Sequence, residues 1–167
     1  KSIVKVIIDA VVSKGKNIRG ASTITQQLAR SIFLSNGVSM DRKFQEIAIS
    51  LELTEKYSKE QIMEFYVNNV FFANGYYGIE AAAQGYFSKP ASELTLSETA
   101  YLCAIPNSPS RYNPYNDKNR AVDRRDLILD AMYEVGFISW EDMEQAKNEE
   151  IRINEPNNMA GGYEVTY

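Results

Sequence analysis

The chain of 167 residues contains no histidine and a single cysteine, Cys103. Without histidine, Ser-His-Asp and Cys-His hydrolases, HExxH metalloproteases and histidine-ligated zinc sites cannot be assembled from it. Any acid or base catalyst is then a carboxylate, a lysine, a tyrosine or the thiol. One cysteine makes no internal disulfide, so cysteine usage neither marks nor excludes an exported protein. There is no run of about 18 apolar residues and so no transmembrane helix. The opening KSIVKVIIDAVVSKGK is too short and interrupted to span a membrane and carries no small-residue cleavage site. No repeat of fixed period occurs, which excludes a solenoid array.

What is present fits one globular domain: 44% hydrophobic and 24% charged residues, enough for a sizeable core. The net charge of −4 is unevenly spread. Residues 1–50 carry 8 basic against 3 acidic side chains, a net of +5, and residues 51–167 carry 10 against 19, a net of −9. The first third is therefore the expected place for an anionic ligand. The acidic remainder, with no DNA or RNA motif, argues against general nucleic-acid binding.

Apolar spacing at 3, 4, 7, 8, 11 and 12 predicts a first helix ending near Gly15. Its stripe, flanked by Lys1, Lys5, Lys14 and Lys16, either lies at a membrane interface or packs in the core. A basic glycine loop, KGKNIRGAS, leads to a helix from about Thr23 to Phe33, capped by Ser22 or Thr23. After the turn SNGVSMD, Asp41 is expected to cap a helix reaching Lys56, with Phe44, Ile47, Ala48 and Leu51 on one face. Ser58 with Gln61 and Thr95 with Glu98 are capping-box patterns for helices at 59–69 and 96–104. A stretch at 78–86 is also helical, PNSPSRYNPYND is a proline-rich loop, and two last helices span about 118–135 and 140–149. Only IRI at 151–153 and the terminal YEVTY read as strands, so the fold class is mainly α.

Four polar clusters stand out. In GASTITQQLAR a glycine loop enters a helix whose first turn offers Ser22, Thr23 and Thr25, followed by Gln26 and Gln27. This is either an anion site at a helix N-terminus or simply a capped amphipathic helix. Arg42, Lys43 and Glu46 are either a surface ion pair at i, i+4 or a pyrophosphate clamp beside a carboxylate that handles a proton. Glu64, Tyr66 and Asn68 read as structural, with Glu64 and Asn68 sharing a face and fixing the next loop. Of the adjacent Arg124 and Arg125, about 100° apart on a helix, one is expected to face inward. Cys103 reads as a small buried hydrophobe.

Taken together and in this order, the clusters resemble the peptidoglycan glycosyltransferase domain of bifunctional penicillin-binding proteins and monofunctional transglycosylases. The pattern GxSTITQQ is met by Gly20 and Ser22 to Gln27, and RKxxE by Arg42, Lys43 and Glu46. KxxILExYxN falls on Lys59, Ile62, Glu64, Tyr66 and Asn68, with Met63 for leucine. RRxxVL falls on Arg124, Arg125 and Leu129, with Ile128 for valine. The resemblance implies a lysozyme-like helical fold that polymerises lipid II at the outer face of the bacterial cytoplasmic membrane, with inversion and loss of undecaprenyl pyrophosphate. It implies Glu46 as a catalytic carboxylate, and Ser22, Thr23, Gln26, Gln27, Arg30, Arg42, Lys43 and Arg124 as substrate-binding residues. A divalent cation, Mg or Mn, is a possible helper for the pyrophosphate, although no dedicated ligand set is visible.

Two departures from the family pattern matter. Arg30 stands where lysine is usual, which changes the donor geometry. The motif EDxxFxxHxG, whose glutamate is the general base, is missing, as the absence of histidine shows. The expectation is a glycosyltransferase domain at 1–153 without its first motif, inactive by itself, with 154–167 beginning a linker to a possible transpeptidase domain. Two rivals are a lysozyme-like muramidase or lytic transglycosylase and a non-catalytic glycolipid-binding scaffold. A hydrolase with an uncharged leaving group has no need of the basic cluster.

Overall fold

A computed structural model describes residues 23–33 and 40–156 of the chain. The expected first helix, the KGKNIRGAS loop, most of the SNGVSMD turn and the YEVTY strand lie outside the described residues. Within them the chain forms helices α1 (Ile24–Phe33), α2 (Met40–Lys56), α3 (Lys59–Asn69), α4 (Ile79–Phe87), α5 (Leu96–Ala104), α6 (Lys118–Glu134) and α7 (Trp140–Asn148). Short 3-10 turns occupy Ala91–Glu93 and Ile105–Asn107. The mainly α, lysozyme-like architecture implied by the resemblance is the one found. Among the described residues no helix is long and apolar enough to cross a membrane.

The caps explain where helices begin. Ser58 and Gln61 exchange reciprocal side chain–backbone bonds at the start of α3, Thr95 and Glu98 do so for α5, and Ser139 and Asp142 for α7. Asp41 sits within the first turn of α2 instead of at its cap. There it still complements the helix dipole. The helix α6 ends at Glu134, and Gly136 takes the left-handed conformation that lets the chain turn away.

The segment 151–153 forms no strand, contrary to the sequence pattern. Ile151 is buried, and the chain is fixed instead by Asn154, whose backbone N–H donates to the Tyr86 carbonyl at 2.9 Å. Among the described residues no neighbouring extended segment offers it a ladder, and the β-type pairing there is an isolated bridge between Phe71 and Tyr77.

Among the described residues three apolar clusters hold the helices together. Leu28, Ala29, Leu53 and Ile62 join α1, α2 and α3. Ala100, Leu129, Met132, Met143 and their neighbours join α5, α6 and α7. Between α4 and α5 the core is aromatic: Tyr86 packs edge-on against Tyr76 and Tyr115 at centroid distances of 5.0 and 5.4 Å. The Tyr86 hydroxyl donates to the Phe72 carbonyl at 2.7 Å and accepts from Asn74 at 2.9 Å. Two glycines make this packing possible. A Cβ on Gly85 would lie 2.2 Å from the Tyr76 ring, and one on Gly78, at φ +83°, would lie 2.4 Å from the Asn68 carbonyl oxygen.

Candidate functional site

Helices α1, α2 and α3 pack against one another, and this packing builds the polar cluster. The inner face of α2 carries Glu46, Ser50 and Leu53, at i, i+4 and i+7. The predicted stripe of Phe44, Ile47 and Leu51 instead turns outward and is exposed. A glutamate on an inner helix face needs partners, since a buried carboxylate without them is costly. Glu46 is 2% exposed and has two. Arg30, one helix away, donates from Nε to Oε2 at 3.0 Å and from Nη2 to Oε1 at 3.1 Å. Lys43 donates to Oε1 at 2.6 Å from one turn back.

The pairing revises the surface reading of this cluster. The carboxylate is internal, its partners are Lys43 at i+3 spacing and Arg30 from another helix, and the Arg30 contact is bidentate. Burial pushes the Glu46 carboxyl upward, but the hydrogen bonds and charges of Lys43 and Arg30 outweigh this and hold it below the ordinary carboxylate value. With both oxygens engaged, Glu46 is an anchor for two cations more readily than a proton acceptor. The Arg30 and Lys43 side chains remain 43% and 42% exposed, so their outer faces meet solvent. An anionic ligand can approach those solvent-facing cations. Arg42, beside Lys43 at the start of α2, is half-buried.

The other expected residues divide. Thr23 Oγ1 accepts from the Gln26 backbone at 3.2 Å, while Gln26 Oε1 accepts from the Thr23 N–H at 3.3 Å. The pair is thus a capping box for α1. Gln27 Oε1 accepts from the Tyr66 hydroxyl at 3.2 Å. Tyr66 is the member of the third cluster that reaches the site, and burial pushes its phenol up to about 12. Its i+4 spacing from buried Ile62 is the signal that places it inward. Glu64 and Asn68 are exposed, so they are not the buried pair the pattern suggested. The next loop is fixed by backbone bonds such as Gly78 N–H to the Val70 carbonyl at 2.9 Å. Ser22 lies outside the described residues.

Of the two adjacent arginines, Arg125 faces inward. Its Nη1 donates to Ser97 Oγ and the Glu149 carbonyl, both at 3.0 Å, and its Nη2 to the Lys147 carbonyl at 2.8 Å. It also pairs with Asp126 at 2.7 Å. Arg124 lines a different surface cavity on α6, away from the Glu46 cluster. Cys103 packs with the second apolar cluster, and burial pushes its thiol up to about 12. Among the described residues no group of three or more carboxylates or thiols is placed to hold a metal ion.

Residues 1–133 match the family described as Transglycosylase. The chain is 41% identical over 143 residues to Penicillin-binding protein 1A of Aquifex aeolicus, covering 86% of this chain and 20% of that protein. It is 42% identical over 142 residues to Penicillin-binding protein 4 of Bacillus subtilis, covering 84% and 23%. A crystal structure of Penicillin-Binding Protein 1A from Haemophilus influenzae superposes with a TM-score of 0.56 at 35% identity, covering 71% of this chain and 18% of the other. The chain thus spans about a fifth of the length of these relatives.

Proposed function

The chain belongs to the transglycosylase family, and from that premise we propose that it is a peptidoglycan glycosyltransferase domain of a penicillin-binding protein. The reaction we assign to such a domain, once its first motif is present, is the polymerisation of lipid II into β-1,4 glycan strands with inversion, releasing undecaprenyl pyrophosphate at the outer face of the cytoplasmic membrane. The observation that carries the reading is the buried Glu46 holding Arg30 and Lys43 side by side with their outer faces in solvent.

The reaction needs two things of the protein. The acceptor's 4-hydroxyl oxygen forms a bond to the anomeric carbon of the lipid-linked chain, whose bond to the pyrophosphate oxygen breaks. The electron pair leaves on the pyrophosphate, and charge developing there is stabilised by preorganised cations. Arg30, Lys43 and Arg42 fill that role, and Glu46 is the second essential carboxylate because it fixes two of them. Thr23 and Gln26 lie at the start of α1 and Gln27 is oriented by Tyr66; with Ser22, the residue before Thr23 in the sequence, they are assigned to contact the substrate. Among the described residues no carboxylate is placed to hold a divalent cation, since both Glu46 oxygens are taken by cations. The stabilisation is therefore assigned to side-chain charge.

The hydroxyl proton goes to a general base that the absent first motif would supply. By itself this chain accordingly binds the lipid-linked substrate and does not polymerise it. The test is a titration of the chain, in detergent, with labelled lipid II, beside an Arg42→Ala/Lys43→Ala variant. Saturable binding that the double substitution abolishes supports the clamp. Equal binding by both, or by neither, moves the scaffold reading ahead, and near-normal turnover by the chain alone refutes the missing-base argument.

A further inference from the structure

The turn that follows α3 is bent against the preference of its own residues. Ala73, Asn74 and Gly75 all take positive φ, at 63°, 49° and 81°, and only the last is a glycine. Phe72 N–H donates to the Tyr76 carbonyl at 2.8 Å, and Tyr76 N–H to that of Ala73 at 2.9 Å, which closes the turn. Phe72 and Ala73 anchor it in the aromatic core, while Asn74 and Gly75 stand exposed at its tip.

A reciprocal amide pair holds the tip from 39 positions further on: Asn74 Nδ2 donates to Asn113 Oδ1, and Asn113 Nδ2 donates back to Asn74 Oδ1, both at 2.8 Å. Asn74 Nδ2 also donates to the Tyr86 hydroxyl at 2.9 Å, whose own proton goes to the Phe72 carbonyl at 2.7 Å. Asn113 Oδ1 is fixed in turn by the Tyr115 N–H at 3.0 Å. The nitrogen and the oxygen of the Asn74 amide are thus both engaged. The sequence joins this side chain to a glycine, and such a step is chemically labile, because a residue without Cβ lets its backbone nitrogen reach the asparagine Cγ. To react, Cγ has to swing onto the Gly75 nitrogen, which breaks the three amide contacts together.

We propose that the Asn74-Gly75 step is a spontaneous deamidation site kept shut by the amide pair with Asn113, so that opening of the turn converts Asn74 irreversibly to an aspartyl or isoaspartyl residue. The Gly75 nitrogen forms a bond to Asn74 Cγ and gives up its proton, the Cγ–Nδ2 bond breaks, and the amide leaves as ammonia. Water then adds to either carbonyl of the succinimide and opens the ring. Nothing is oxidised or reduced, and water is the only co-reactant. The product carboxylate accepts hydrogen bonds but donates none, so it cannot restore the bonds to Asn113 Oδ1 and the Tyr86 hydroxyl, and the turn does not relatch. The site stands independently of the transferase reading.

The experiment incubates the chain at mildly alkaline pH, folded and in guanidinium chloride, and follows Asn74 by peptide mapping with mass-spectrometric fragmentation. Asn74 is expected to react about tenfold or more slowly in the folded chain, since three hydrogen bonds have to open first. Asn113→Ala, checked for an unchanged far-UV spectrum, removes two of the three and should return most of that factor. Tyr86→Phe keeps the ring, removes the remaining acceptor and should accelerate the reaction by a smaller factor. Equal rates in the folded and unfolded chain overturn the latch, as do parent-like rates in both variants. An Asn74 that stays intact even in guanidinium chloride overturns the site itself.

Discussion

Removing Arg30 should cost the fold more than removing Glu46, although both belong to one ion pair. Glu46 is 2% exposed and takes two hydrogen bonds from Arg30 and one from Lys43. Arg30→Met leaves the carboxylate buried with Lys43 alone. Breaking a buried pair costs about 3–5 kcal/mol, and because Arg30 is 43% exposed water re-enters, placing the loss at about 2–3 kcal/mol. Glu46→Gln keeps the shape and leaves two cations that solvent already reaches, at a cost of about 1 kcal/mol. For a domain of this size a loss of about 2–3 kcal/mol lowers Tm by roughly 4–12 °C. Urea unfolding at neutral pH measures both variants and their combination. The double variant should fall short of the summed losses by about 1–2 kcal/mol. Additivity within about 0.5 kcal/mol, or an Arg30→Met cost no larger than that of Glu46→Gln, refutes the account of Glu46 as a buried anion held by two cations.

Three further outcomes follow from the geometry. The folded carboxyl of Glu46 lies below its ordinary value of 4.5, so its stabilisation is complete above that pH and is lost as pH falls through the folded value. Glu46→Gln should then lose less stability than the parent between neutral pH and strong acid; parallel curves by thermal denaturation would contradict this. Gly78→Ala places a methyl at 2.4 Å from the Asn68 carbonyl oxygen at φ +83° and should cost about 2–4 kcal/mol. Gly75→Ala, at φ +81° but facing open space, should cost only about 1–2 kcal/mol, and equal losses in urea would show that the contact is irrelevant. Arg125→Met strands the Ser97 hydroxyl and the carbonyls of Lys147 and Glu149, for a loss of about 3 kcal/mol, while Arg124→Met stays within about 1 kcal/mol. Reversal of that order in chemical denaturation would mean the two side chains are misassigned.

Local signals survived the passage from sequence to structure best. Ser58 with Gln61 and Thr95 with Glu98 begin their helices where the pattern places them, because a cap is decided within four residues. Which face of a helix turns inward was less legible. Periodicity groups Phe44, Ile47 and Leu51 correctly, yet those described as buried on α2 are Glu46, Ser50 and Leu53. The reason is that Glu46 has its bidentate partner on α1, sixteen positions back, where no spacing rule looks. Similarly, a pair of adjacent arginines announces that one is inward, but only the carbonyls at the end of α7 decide that it is Arg125. Residues 151–153 alternate like a strand and form none, since a strand needs a partner that local pattern cannot supply.

The ring cluster of Tyr76, Tyr86 and Tyr115 also gives the domain its own optical gauge. The sole tryptophan, Trp140, is 53% exposed, so its emission is nearly as wet folded as unfolded and reports little. The tyrosines divide instead into two populations. Tyr77 and Tyr133 are open to solvent, whereas burial pushes the Tyr115 phenol up to about 12 and the Tyr86 phenol up as well. In an alkaline absorbance titration the buried rings appear only in the step at which they come apart.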